Sequence, residues 1–160
     1  MRNSTIFPNS ASLLLLLLLC ISAPHARAQN QTPANVASVG WTDPATGLTW
    51  TKQDNGTDVN WNQAVAYCSN LRLGGYIDWR LPTIDELQNI YDVSADVPGQ
   101  WPDGEEVTWH VKCNLKLSGT QWSSSQGNAG EAWLFVFKKG GRGAVVISYS
   151  TYTRALCVRR

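Results

Sequence analysis

The sequence predicts an α+β domain, on three observations: a strand signal near its start, two capped helical segments in its first half, and three strand signals in its second half. The order is strand, helix, helix, long loop, strands, with no internal repeat. The chain has 160 residues, one domain's worth, and 43% of them are hydrophobic. Its 13 basic and 12 acidic residues exclude a polycation, a disordered acidic tail or a low-complexity fibre.

The first element is a leader. Seven leucines at 13–19 follow a polar stretch carrying Arg2 and precede Ala26-Arg27-Ala28, a small-residue cleavage site. This reads as a secretory signal peptide over 1–28, since a transmembrane helix needs about 20 apolar residues. A lipid anchor on Cys20 is the rival reading, but Leu19 stands where a lipobox wants a small residue. The protein is therefore expected to be exported (secreted, periplasmic or at the cell surface) and not transmembrane. Residues 29–39 read as a flexible leader and 40–160 as the domain.

Export changes the charge arithmetic. Residues 29–160 keep 11 basic and 12 acidic groups, three cysteines and His110 alone, so a multi-histidine metal site is excluded. Residues 29–109 hold 3 basic and 11 acidic groups, and 110–160 hold 8 basic and 1 acidic. The loop charges at 92–106 and 138–142 are expected to form opposed patches. Nucleic acid is disfavoured as a partner, because the exported chain is not basic and carries no such motif.

Between Trp41 and Lys52, Asp43-Pro44 and Thr46-Gly47 supply a turn, and Leu48 and Trp50 alternate with threonines as a strand. Asn60 with Gln63 opens a helix whose apolar face is Trp61, Ala64, Val65, Cys68 and Leu71, ended by Gly74-Gly75. Thr83 with Glu86 opens a second, with Leu87, Ile90 and Tyr91 on its face. From Val93 to Gly119 periodicity is lost among Pro98, Gly99, Pro102 and Gly104, predicting a long loop with at most one short strand. Strands follow at 121–124, 133–137 and 144–149, with Lys138–Gly143 as a glycine-rich hairpin, and a last strand near 154–159.

Several blocks resemble a known family. Gly47-Leu48-Thr49-Trp50-Thr51, Ala66-Tyr67-Cys68, Leu73-Gly74-Gly75-Tyr76, Asp78-Trp79-Arg80-Leu81-Pro82-Thr83, Trp122-Ser123-Ser124-Ser125 and Cys157-Val158-Arg159 resemble the Lcl C-terminal domain family. It is a bacterial domain of largely unknown function named after a collagen-like adhesin. That family is similar to C-type lectin-like and formylglycine-generating-enzyme folds. The resemblance implies a C-type lectin-like plan: two helices packed on small antiparallel sheets, with the N- and C-terminal strands adjacent.

Three cysteines allow three pairings. The lectin-like plan implies Cys68 with Cys157, leaving Cys113 three residues after His110. A formylglycine-generating-enzyme-like oxidase would use that thiol, but such enzymes hold their metal with two cysteines and no second thiol is near. No catalytic residue is therefore assigned, and a structural part in an envelope complex is the other alternative. The calcium-chelating triplets of sugar-binding C-type lectins are absent. Asp92, Asp96, Asp103, Glu105 and Glu106 offer oxygen ligands without fixed spacing, so a solvated acidic loop with no cofactor is expected, and a calcium site is the alternative.

Trp50, Trp61, Trp79 and Trp122 fall in the family blocks and read as core, whereas Trp101 and Trp109 in the long loop are the candidate aromatic platform. Asp78 and Arg80 flank Trp79 and, if buried, are expected to pair and fix the turn into the second helix. Lys138, Lys139 and Arg142 share one hairpin and suit sulfate, carboxylate or phosphate, with Arg154, Arg159 and Arg160 as further cations. The expected function is an exported, non-enzymatic module binding a glycan or another surface molecule.

Overall fold

The computed structural model describes residues 39–160, so the signal segment 1–28 and all of the leader except Val39 lie outside the described residues. Strand β1 (Gly40–Thr42) turns back onto β2 (Thr49–Thr51), which pairs on its other side with β9 (Val158–Arg159). The first and last strands of the domain thus share one three-stranded sheet. Asp43 shapes the turn, accepting from the Ala45 N–H and the Thr46 hydroxyl at 3.1 and 2.8 Å.

Helix α1 (Trp61–Asn70) opens on the expected reciprocal cap: Gln63 N–H donates to Asn60 Oδ1 at 3.0 Å, and Asn60 N–H to Gln63 Oε1 at 2.9 Å. It ends before Gly74-Gly75. Leu71 already has ψ 130°, and the two glycines, at φ 65° and 80°, build a separate turn closed by a Leu73–Tyr76 bridge. Helix α2 (Ile84–Asn89) carries the Thr83/Glu86 box and buries Leu87 completely.

The segment expected to be loop instead holds a hairpin, β3 (Val97–Gln100) with β4 (Glu106–Trp109), followed by a short 3₁₀ turn (Lys112–Asn114). Pro98 and Gly99, read as loop signals, occur in a two-stranded ribbon in which each strand has a free edge, where proline is tolerated. Gly99 is required by packing: a Cβ there would stand 2.3 Å from the Trp109 indole nitrogen. Val97, Val107 and Trp109 are buried.

The main sheet runs β7-β6-β5-β8, with β5 (Thr120–Gln126), β6 (Glu131–Val136), β7 (Gly141–Val146) and β8 (Thr153–Arg154). Pairing of β8 with β5 is parallel, so the sheets are not all antiparallel. The single last strand expected near 154–159 is two strands in different sheets, with Ala155 to Cys157 crossing between them. At that crossing Cys157 bonds to Cys68 of α1, closing a separation of 89 residues. Around the disulfide, Trp79, Leu81, Trp122 and Leu134 form one buried cluster; a second is built on Trp50, Leu87, Trp109 and Phe135.

The Asp78–Thr83 block ties β9 to α2, but not through an Asp78–Arg80 pair. Arg80 and Val158 exchange backbone hydrogen bonds of 2.8 and 2.9 Å, Asp78 accepts from Arg159 Nε at 2.7 Å, and Arg80 forks onto Glu86 at 2.8 and 2.7 Å. Burial pushes the Glu86 carboxyl up, but Arg80 and the Thr83 N–H together outweigh it and hold the carboxyl below its ordinary 4.5. Arg159 likewise holds Asp78 below 3.8.

Both carboxyls are depressed in the folded state, so their contribution is complete above the ordinary carboxylate range and is lost as pH falls through the lowered values. Glu86→Gln is therefore expected to flatten the fall in stability between about pH 5 and about pH 3, read from urea midpoints across that range. An unchanged slope would contradict the assignment.

Candidate functional site

The turn that follows β6 sets the site. Phe137 is buried, and the N–H groups of Lys139 and Gly140 both donate to Val136 O, at 3.2 and 2.9 Å. Gly140 has φ 65°, and a Cβ there would lie 2.6 Å from the Tyr91 ring, so only glycine lets the turn settle on that ring. Lys138 and Lys139 are thereby displayed at the hairpin tip, and Arg142 follows on β7, facing Phe135 across the pair.

Beside the tip is Trp101, which opens the β3–β4 turn. Its N–H donates to Glu105 O at 2.8 Å, and Gly104 at φ 90° completes the turn. Trp101, Val136, Lys138, Lys139, Gly141, Arg142 and Gly143 line one cleft of about 480 Å³. At Gly141 and Gly143 a Cβ would meet nothing within 4 Å, so the missing side chains leave the cleft open.

Of the expected site residues, the structure brings Trp101, Lys138, Lys139 and Arg142 together. Trp109 does not join them as a platform: it is 0% exposed. Strand alternation turns it inward with Val107, and it meets Trp101 edge-on at 4.8 Å and 71°, forming the wall behind that ring. Tyr152, which sequence reasoning missed, lies tilted against Trp101 at 6.1 Å and donates its hydroxyl to Asp103 at 3.1 Å. Its φ of 58° is set by tertiary context, and no local sequence signal announces it.

The cleft's cations are only loosely held. Lys138 Nζ stands 3.9 Å from Glu105, and Arg142 3.6 Å from Asp85, both partners largely exposed; Lys139 makes no ion pair with the described residues. Exposed pairs of this kind contribute about 0–1 kcal/mol, so an incoming anion displaces them at little cost. Arg142 also sits over the Trp133 ring at 5.6 Å. The acidic loop and the basic hairpin are therefore neighbours rather than opposed patches.

Of the other expected cations, Arg160 is exposed at the end of the chain, and Arg154 and Arg159 are committed elsewhere. Arg154 is buried, ion-paired to Asp58 and donating to Ser118 Oγ at 2.9 Å. Arg159 pairs with Asp78 and lies 3.6 Å over the Tyr76 ring. Asp92, Asp96 and Asp103 are engaged by Ser94, His110 and Tyr152 respectively, and no group of three metal-ligating side chains occurs among the described residues. His110 Nδ1 is 2.8 Å from Ala95 O, and no hydrogen bond joins it to the exposed Cys113.

A family model, the Lcl C-terminal domain, matches residues 40–159. The chain belongs to the Lcl C-terminal domain family. The match runs from the first residue of β1 to the last of β9, so the whole described fold, cleft included, is this Lcl C-terminal domain. No curated protein matches the chain. Among the described residues, no helix is long and apolar enough to cross a membrane.

Proposed function

We propose that this Lcl C-terminal domain, on a C-type lectin-like plan, is an exported, non-enzymatic binding module that takes an anionic glycan of a cell surface or matrix in the Trp101 cleft. The observation that carries the reading is the convergence of an aromatic ring and three cations, from separate segments, on one open concavity. A sugar ring stacks on Trp101, and its sulfate or carboxylate groups take the place of Glu105 and Asp85 on Lys138 and Arg142. Binding requires no calcium, because the cations do the work.

A heparin column and a glycan array test this. Retention is expected to survive chelation of calcium, to weaken as salt rises, and to fall roughly tenfold or more when Lys138, Lys139 and Arg142 are all replaced by alanine. Trp101→Ala is expected to weaken sugar binding without changing the salt dependence. No retention at low salt, or a triple variant that binds as well as the parent, would overturn the reading.

A further inference from the structure

A second concavity, sharing no residue with the Trp101 cleft, lies where β1, the end of β2 and the 3₁₀ turn meet. Its volume is about 420 Å³, within the range of small-molecule sites. Trp41, backed by Leu115, gives it an apolar wall, and Lys52, Lys116 and Cys113 are also part of its lining. Leu115 is 1% exposed and Trp41 packs on the main core, so the apolar part is held rigidly.

The two lysines are brought together by the backbone. Lys116 N–H donates to Lys52 O at 2.9 Å, and the next pairing runs from Asp54 N–H to Lys116 O at 3.1 Å. Their ammonium groups have no carboxylate within 4.0 Å among the described residues, unlike the Lys138 ammonium and the Arg142, Arg154 and Arg159 guanidinium groups. The acidic groups nearest in chain and sheet are already occupied. Asp54 accepts from Ser118 N–H, Ser118 Oγ and Gln121 Nε2 at 2.7, 2.9 and 2.9 Å, and Asp43 is held within its own turn.

Two uncompensated cations on an apolar, aromatic-walled hollow describe the complement of one kind of ligand. We propose that this pocket binds a small organic anion with a flat apolar body, the body lying against Trp41 and a carboxylate or sulfonate head reached by the ammonium groups of Lys52 and Lys116. The apolar contact supplies affinity, and the unpaired ammonium groups reject neutral and cationic analogues. The bound molecule covers the Cys113 thiol, which provides the readout.

The test measures alkylation of Cys113 by iodoacetamide in the purified protein, followed on the Cys113 peptide by mass spectrometry, with 2-naphthoate as the probe and neutral 2-naphthamide as its control. Naphthoate is expected to slow the reaction saturably, by about tenfold at a concentration near ten times its Kd. Naphthamide is expected to leave the rate nearly unchanged. Lys52→Gln with Lys116→Gln, both exposed and free of structural contacts through their ammonium groups, is expected to abolish protection. The variant lacking Lys138, Lys139 and Arg142 should retain it, which separates this site from the glycan cleft. In calorimetry, Cys113→Ser should still bind naphthoate, because the thiol is a reporter and not a ligand. Equal protection by the amide, protection that survives the double lysine variant, or none up to roughly 10 mM naphthoate would overturn the proposal.

Discussion

Removing the Cys68–Cys157 disulfide, as the Cys68→Ala/Cys157→Ala variant, is expected to destabilise the domain by about 4–5 kcal/mol. The bond closes a loop of 89 residues, and in the chain-entropy model the stabilisation grows with the logarithm of that length. Both cysteines are 0% exposed, so the double variant also leaves a small void among Ala64, Trp79 and Ala155. For a domain of this size the melting temperature should fall by roughly 10–20 °C. Calorimetry checks the shift, with Cys113→Ser, an exposed thiol, expected to melt like the parent. A double variant that melts within a few degrees of the parent would show that α1 and the end of the chain are held by packing alone.

Trp122→Ala has the other large expected effect, about 3–5 kcal/mol. The ring is 0% exposed, lies in the same cluster as the disulfide, and donates its indole N–H to Val59 O at 2.9 Å. Most of the cost is the cavity. Val59 O also accepts from the Thr153 hydroxyl at 2.7 Å, so losing the indole does not orphan that carbonyl. Trp122→Phe is accordingly expected to cost only about 1–2 kcal/mol. Urea unfolding of the two variants measures the split, and combining Trp122→Ala with disulfide removal should depart from additivity, since both act on one cluster. Equal losses in the Phe and Ala variants would place the energy in the hydrogen bond instead.

The elements that were legible in the sequence are those whose cause is local. Asn60 with Gln63, and Thr83 with Glu86, cap their helices as expected because a capping box is complete within four residues. The turn at Asp43–Gly47 is legible for the same reason. The β3–β4 hairpin was not. Its strands carry proline and glycine, which read as loop unless one knows that they form a two-stranded ribbon with free edges, with Gly99 beneath the Trp109 ring. Assignment of Trp109 to an exposed platform failed with it, since burial follows from which way a strand alternates and the strand itself was missed.

The candidate cleft shows the same division. Its cations were visible as Lys138, Lys139 and Arg142 on one glycine-rich hairpin, but their placement beside Trp101 depends on a turn resting on Tyr91. The Lys52–Lys116 pocket was invisible, because its residues are 64 positions apart and meet only through a parallel bridge at Gln53 and Lys116.

By itself, the sequence determined the α+β order, both helix starts, the family and a charge split between an acidic first half and a basic second half. Tertiary structure decided what that split means. Lys138 meets Glu105, Arg142 meets Asp85, Arg154 meets Asp58 and Arg159 meets Asp78, so every one of these pairs joins the basic half to the acidic half. A charge count along the chain fixes the supply of each sign, whereas the attraction between two groups falls with their separation in space. Only the folded chain, through the β6–β7 hairpin and the return of β8 and β9 among the early elements, decides which cations are neutralised and which, such as Lys139, Lys52 and Lys116, have no ion-pair partner among the described residues.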